Sequence, residues 1–461
     1  MNKEKYPYPV FPIGLAYLAK SIENNGHQST LLDLAIDSDL AIELNRLMAK
    51  PDLIGLSLRN IDNMSYFHFT DYNKDLNDTI LLCKKMFNDV PIVLGGSGFS
   101  LFPYEIMNSV QADYGIVGEG ELALNQLIYS LNQKIKIDPI DLEKISGLVY
   151  KNINGQWRQN SVNRSDSWQA LRPERQRLNY EWYLINGGMA NVQTKRGCCF
   201  DCIYCTYPQL DGKKLSVRPP SHIGDELEYL AKELNVDFVY FVDDIFNFPM
   251  EHGYAICNEI IQRKLKLRWT AFINPGYVDE QLIYQMKRAG CQGLELGSDS
   301  GSEKILKNLR KNFTIEHLKH CDNLAKKYRL PICHYLLFGA PGESSETVNE
   351  TIKLMEQLDS AAFIAMIGIR VYPQTVLAKE YMSNPENGAM NWLDRHFFIP
   401  EKISLLEIKD KLLCYASQNP RWIIPDTVFA LDETLQTKLR LRGKRGPLWE
   451  LAHLRNVALN L

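Results

Sequence analysis

Three cysteines in the stretch QTKRGCCFDCIYCTYP, Gln193 to Pro208, carry the clearest chemistry in this chain: Cys198, Cys202 and Cys205, four and then three residues apart. A tight loop with that spacing can present three thiolates to three corners of one [4Fe–4S] cube, whose fourth iron then has no protein ligand and is open for chemistry. A structural zinc site would want four closed ligands, yet the nearest histidine, His222, lies well downstream and no second CxxC follows. Disulfides are not expected either: the 10 cysteines are scattered through 461 residues, no signal peptide is visible, and reducing cytosol is the natural compartment. Cys199 is the ambiguous neighbour, able in principle to replace Cys198. The four-then-three spacing favours Cys198.

A chain of this length exceeds one ordinary core, so two large domains and an appendage are expected. The net charge of −3 gives no basic footprint for nucleic acid. Apolar runs such as Ile92 to Gly98 stop far short of a membrane span. The composition therefore predicts a cytoplasmic globular protein, bound to neither nucleic acid nor membrane.

The elements that must position the cysteines read as two βα series. In the first, Ile13 opens a helix with apolar residues at Leu15, Leu18, Ala19 and Ile22, closed by Asn25-Gly26. Strands are expected at Ser29 to Leu34, Asp52 to Leu58, Pro91 to Gly96 and Tyr114 to Val117, with helices between them. That alternation predicts a parallel, doubly wound, Rossmann-like sheet. Ligands of such sheets sit beyond the carboxyl ends of the strands. The candidate loops are Ser57-Leu58-Arg59-Asn60, Gly95-Gly96-Ser97 and Gly118-Glu119-Gly120. One glycine turn is usually structural; three in register point to a ligand. Gly147 to Trp157 reads as a hairpin on an Asn154-Gly155 turn.

The second series starts at Ala190, whose strand delivers the cysteine loop. Further strands are expected at Asp237 to Val242, Leu267 to Ile273, Gly293 to Gly297, Ile332 to Phe338 and Ala362 to Val371. Six parallel strands with polar carboxyl ends predict a partial (β/α)6 TIM-type barrel with its site at that face. The organisation expected is residues 1–137 for the first sheet, 138–189 for a linker with the hairpin, 190–384 for the barrel, and 385–461 for a helical appendage that closes one end of the barrel over the substrate.

Cys198, Cys202 and Cys205, with Tyr204 before the last, resemble the CxxxCxΦC signature of the radical S-adenosylmethionine (SAM) superfamily. The segments PVFPIGLAYLAKSI, Gly95-Gly96-Ser97 and Gly118-Glu119-Gly120 are similar to the cobalamin-binding domain that precedes the barrel in one large subfamily. The resemblance implies a cluster whose open iron chelates SAM, with Tyr204 by the adenine. It also implies reductive cleavage of SAM to a 5′-deoxyadenosyl radical, fed by an electron donor such as flavodoxin or ferredoxin. GLELGSDSG and FGAPGE resemble strand-end segments of the family. Carried over, they make Glu295 and Ser298 candidates for the ribose or amino-acid part of SAM and place Pro341 and Gly342 at the adenine pocket, with Arg370 ending the sixth strand.

For cobalamin, the resemblance implies contacts from the three loops of the first sheet. The Asp-x-His-x-x-Gly motif that supplies a lower axial histidine is absent, and MNKEKYPYPV is poor material for the strand that normally opens the domain. The function implied is a cobalamin-dependent radical SAM enzyme, a C-methyltransferase on a small molecule. The alternatives are a rearrangement, cyclisation or oxidation without methyl transfer, and a non-enzymatic cobalamin or cluster sensor. No residue stands out as the catalytic acid or base.

Overall fold

The computed structural model describes residues 8–36, 39–132, 139–384, 390–425 and 433–454. Residues 1–7, with most of the proline-interrupted opening segment, and the 137/138 and 384/385 boundary regions lie wholly or partly outside the described residues.

The first sheet has five strands in spatial order β1 (Ile54–Ser57), β2 (Ile92–Gly95), β3 (Tyr114–Ile116), β4 (Leu148–Lys151) and β5 (Trp157–Gln159). β1, β2 and β3 run parallel, and the apolar Ile92, Val93 and Leu94 of the central strand are buried. The hairpin expected in the linker instead pairs antiparallel with β3, which makes the sheet mixed. Ser29 to Leu34 forms no strand. Asp33 there accepts a hydrogen bond from the Tyr183 hydroxyl at 2.7 Å, which ties the segment to helix Tyr180–Gly187 rather than to a sheet edge. Among the described residues β1 accordingly pairs on one side only. Helix Ile13–Asn24 forms as its spacing predicts and ends at Gly26, in left-handed backbone at φ 83°.

The second sheet is wholly parallel: β6 (Ala190–Val192), then β9 (Phe238–Phe241), β10 (Arg268–Ile273), β11 (Cys291–Asp299), β12 (Ile332–Phe338) and β13 (Ala362–Ile367), with β16 (Trp422–Ile423) beyond β13. Seven strands stand where six were expected, because the appendage supplies the last. Two short antiparallel ribbons flank them, β7 (Lys195–Arg196) with β8 (Ser216–Val217) and β14 (Ile369–Arg370) with β15 (Phe397–Phe398). The expected sixth strand breaks at Gly368, whose φ of 91° turns the chain out of the sheet. The barrel core centres on Phe241, Phe246 and Trp269, whose ring centroids lie 4.9–5.2 Å apart.

The later part of the appendage closes the amino end of the barrel, while its residues 394–398 lie beside β14, past the carboxyl end of β13. Trp449 packs with Cys333, Ala362 and Ile423, and a side chain at Gly293 would strike its ring. No helix among the described residues is long and apolar enough to cross a membrane.

Candidate active site at the carboxyl end of the barrel

β7 feeds the cysteine loop through Gly197, which adopts φ 97°; a Cβ there would stand 2.4 Å from the Lys214 carbonyl oxygen. The Cys198 N–H donates to the Gly212 carbonyl at 2.9 Å, and the Cys205 N–H donates to Cys202 at 3.1 Å, folding the segment between them into a turn. Cys198 is buried, Cys202 and Cys205 are half-buried and Cys199 is exposed. Burial pushes the Cys198 and Cys205 thiols up to about 12, and each also feels the charge of the other cysteines. Iron must therefore displace their protons to bind. No three His, Cys, Asp or Glu side chains among the described residues converge on a single metal ion. A four-iron cube, which separates its cysteine sulfurs by several ångström, asks for such a looser arrangement.

Two backbone bonds clamp the loop between the cysteines: Ile203 N–H donates to Leu309 at 3.2 Å, and Leu377 N–H donates to Ile203 at 2.9 Å. The Tyr204 hydroxyl donates to Asp299 Oδ2 at 2.6 Å. Pro341 and Gly342 form a turn over helix Glu303–Asn308, held by Asn308 Nδ2 to the Pro341 oxygen at 2.8 Å and Lys304 Nζ to the Gly342 oxygen at 3.0 Å. Ala340, preceding them, shares an apolar cluster with Ile203 and Tyr204, so this turn and the cysteine loop are one packed unit.

Glu295 is buried and accepts hydrogen bonds from Tyr335 at 2.9 Å, Trp449 at 3.1 Å and Tyr240 at 3.2 Å. Burial pushes its carboxyl up, while the three donors pull the other way. Ser298 and Arg370 each have partners within the protein. The Ser298 hydroxyl, fully buried, pairs with His334 Nδ1 at 2.7 Å, and His334 Nε2 continues to Ser360, which donates to Asp322 on helix Ile315–Lys327. That polar chain leads into the helix layer and leaves the hydroxyl occupied. Arg370 is buried rather than solvated, and its guanidinium is taken up by Asp62 at 3.1 Å and the carbonyls of Asp394 and His396. It joins the barrel to the first domain through Asp62.

The loops of the first sheet turn toward this same face. Glu119 and Glu121 pair with Arg196, two residues before Cys198, at 3.5 and 2.6 Å. Helix Tyr207–Leu210, just after the cysteines, packs on helix Ser97–Leu101 after β2. Arg59 is exposed and lies close enough to Tyr8 and Tyr207 for its charge to act on both hydroxyls. Tyr207 keeps 49% of its surface accessible between the two domains. Within the first sheet's own loops, Gly96 at φ 94° would place a Cβ 2.5 Å from the Leu58 oxygen and 2.9 Å from Ser57 Oγ; one at Gly98 would meet the Asn60 backbone at 3.0 Å. These glycines let the two loops after β1 and β2 lie against each other. The G96A variant is expected to lose about 1–3 kcal/mol of stability, read as a lowered urea midpoint, because the backbone carbonyl it meets cannot swing away. Gly118 donates its N–H to Ser100 at 3.0 Å, and Gly120 opens the following helix against Leu18.

The reading of residue types missed three groups. Asp244, at the carboxyl end of β9, has a buried Oδ2 without a hydrogen-bond partner, and burial together with Asp211 and Asp243 pushes its carboxyl up to about 9. Asp299 and Lys311 form a buried ion pair at 2.9 Å beside Tyr204. A carboxylate at a strand end was the available signal for both aspartates; nothing in the sequence marks Lys311.

Comparison with known proteins agrees with this architecture. The radical SAM superfamily profile matches residues 192–355, and the B12-binding domain profile matches residues 2–128. The tryptophan 2-C-methyltransferase of Streptomyces laurentii is 23% identical over 82% of this chain and 73% of that protein. An uncharacterized methyltransferase of Pyrococcus horikoshii is 26% identical over 83% of this chain and 80% of its own length. The anaerobic magnesium-protoporphyrin IX monomethyl ester cyclase of Rubrivivax gelatinosus is 24% identical over 74% of this chain and 61% of that protein. Among solved structures, the radical SAM methyltransferase TsrM of Kitasatospora setae, with tryptophan and a SAM analogue bound, superposes with a TM-score of 0.84 at 21% identity, covering 100% of this chain and 98% of that one. The chain belongs to the radical SAM superfamily, in the class with a B12-binding domain ahead of the barrel. It is a cobalamin-dependent radical SAM enzyme, and its cofactors are a [4Fe–4S] cluster, SAM and cobalamin. The residues present fit them: three thiols on one loop, and glycine turns of the first sheet facing that loop.

Proposed function

We propose that this enzyme transfers a methyl group to a carbon atom of a small molecule. The observation that carries the reading is the meeting of the two carboxyl-end faces, through Arg196 with Glu119 and Glu121 and through helix Tyr207–Leu210 against helix Ser97–Leu101. That arrangement lets a corrin on one domain and SAM on the other reach one substrate. When bound, the cluster supplies an electron to SAM and the corrin carries the methyl group.

In this reading Cys198, Cys202 and Cys205 hold the cluster. Tyr204, Pro341 and Gly342 border the adenine, the ring of Tyr204 being fixed by the bond from its hydroxyl to Asp299. The unpartnered Oδ2 of Asp244 would suit the amino group of SAM, whose positive charge would counter the burial and the neighbouring aspartates that push this carboxyl up. Glu295, held by three donors, keeps a lone pair for a donor inside the barrel. The walls around it, Tyr240, Phe272 and Tyr335, exclude water from the reacting groups.

Arg59 and its neighbours Ser57, Leu58 and Asn60 would hold the corrin from the side of the first sheet. The first domain's histidines are His27, which follows the helix-ending Gly26, and His68, which is exposed. A corrin bound here is therefore expected to show a spectrum without an imidazole on cobalt; a histidine-ligated spectrum would contradict this.

The decisive experiment is anaerobic reconstitution with iron, sulfide and hydroxocobalamin, followed by a product assay with reductant and candidate small molecules such as tryptophan. S-adenosylhomocysteine appearing together with 5′-deoxyadenosine or a methylated product supports methyl transfer, and failure to bind any corrin overturns it. The likeness to the Rubrivivax cyclase favours one other outcome, 5′-deoxyadenosine without S-adenosylhomocysteine, which would mark a radical reaction with no methyl transfer.

A further inference from the structure

Lys311 lies in the connection after helix Glu303–Asn308, with its side chain 9% exposed and its ammonium 2.9 Å from Asp299 Oδ2, which is itself 7% exposed. The same oxygen accepts the Tyr204 hydroxyl at 2.6 Å, and the ammonium stands 3.5 Å from that hydroxyl and 5.3 Å from the centre of the Phe313 ring. Asp299 reaches this position from left-handed backbone, φ 58°, at an irregularity in the pairing of β11 with β12. Burying two charges costs several kcal/mol each, and a well-packed apolar pair often serves stability as well. Strained backbone that aims a buried carboxylate at one ammonium points to a use for the charge. Tyr204 lies between Cys202 and Cys205, so an ammonium 3.5 Å from its hydroxyl stands against the cysteine loop itself.

We infer that Lys311 is a positioning residue for the electron-transfer step, a fixed positive charge that raises the reduction potential of the cluster, while Asp299 holds both that charge and the Tyr204 ring in place. This rests on the assignment of Cys198, Cys202 and Cys205 as cluster ligands. Reduction adds one electron, drawn from a flavodoxin- or ferredoxin-type donor, and with it one negative charge on the cube. A buried ammonium stabilises that added charge; a carboxylate opposes it. The two members of the pair should therefore move the potential in opposite directions, which a purely structural pair would not do.

The test compares K311M, K311R and D299N with the unaltered protein, each reconstituted anaerobically, by iron content and by a potentiometric titration followed by electron paramagnetic resonance without substrate. Expected are a more negative midpoint for K311M, a more positive one for D299N and a value near the unaltered protein for K311R, all with equal iron. Shifts of the same sign, or no shift in K311M at full iron content, would overturn the inference. Should K311M fail to hold a cluster, D299N, which keeps an acceptor for Tyr204, decides alone: a positive shift supports the role and none overturns it. Failure of the ligand assignment would appear separately, as iron retained in the cysteine variants.

Discussion

Alanine at Cys198, Cys202 or Cys205 is expected to bring the iron of the anaerobically reconstituted protein down to background, whereas alanine at Cys199 leaves it intact. A cube held at three corners has no spare protein ligand, so each of the three losses is complete rather than partial. Cys198 is buried and fixed by its bond to Gly212, while its neighbour is exposed beside Asp201. Iron counts and the visible absorption of the cluster read the result directly. A C199A protein that loses its iron, or a C198A protein that keeps it, would reverse the assignment of these two.

The second large effect concerns stability. Glu226, on helix Pro220–Lys232, accepts Arg175 and Arg218 at 2.6 Å each, and none of the three side chains is more than 2% exposed. Arg175 also binds the Asn191 carbonyl on β6, and Arg218 binds the Gln193 carbonyl at the entrance to the cysteine loop. E226A would strand two guanidinium groups in the interior, a loss of about 3–5 kcal/mol. Since whole domains are stable by only about 5–15 kcal/mol, the barrel should unfold at a markedly lower urea concentration, and the lost anchor should loosen the strand that presents the cysteines. A change below about 1 kcal/mol would show that water reaches the triad.

What could be read from the sequence follows from how local each determinant is. The cysteine spacing, the helix ended by Gly26 and the six expected barrel strands depend on neighbours a few residues away, and all six form, the sixth as far as Ile367. Ser29 to Leu34 has strand-like composition, but its fate is decided by Asp33 meeting Tyr183, far along the chain. The hairpin at Leu148 was legible and its partner β3 was not. β16 holds only two residues, too few for any periodicity, and exists because β13 offers an edge. At the site, Ser298 and Arg370 have the residue types a ligand would want. Their directions were set by His334 and Asp62, which no pattern in the sequence pairs with them. Lys311 looks like any loop lysine until the fold buries it.

The floor of the barrel has an implication for synthesis. Trp449 donates to Glu295, a carboxylate whose other partners come from β9 and β12, and Trp422 sets its ring, tilted, 5.2 Å from that of Phe363 on β13. Both tryptophans come later in the chain than every other barrel strand, so those strands have emerged from the ribosome before the interior is sealed from below. A ribosome stalled before Trp422 would display an unplugged barrel with a wet Glu295, open to iron, sulfide and thiol reagents from the side that the finished enzyme keeps shut.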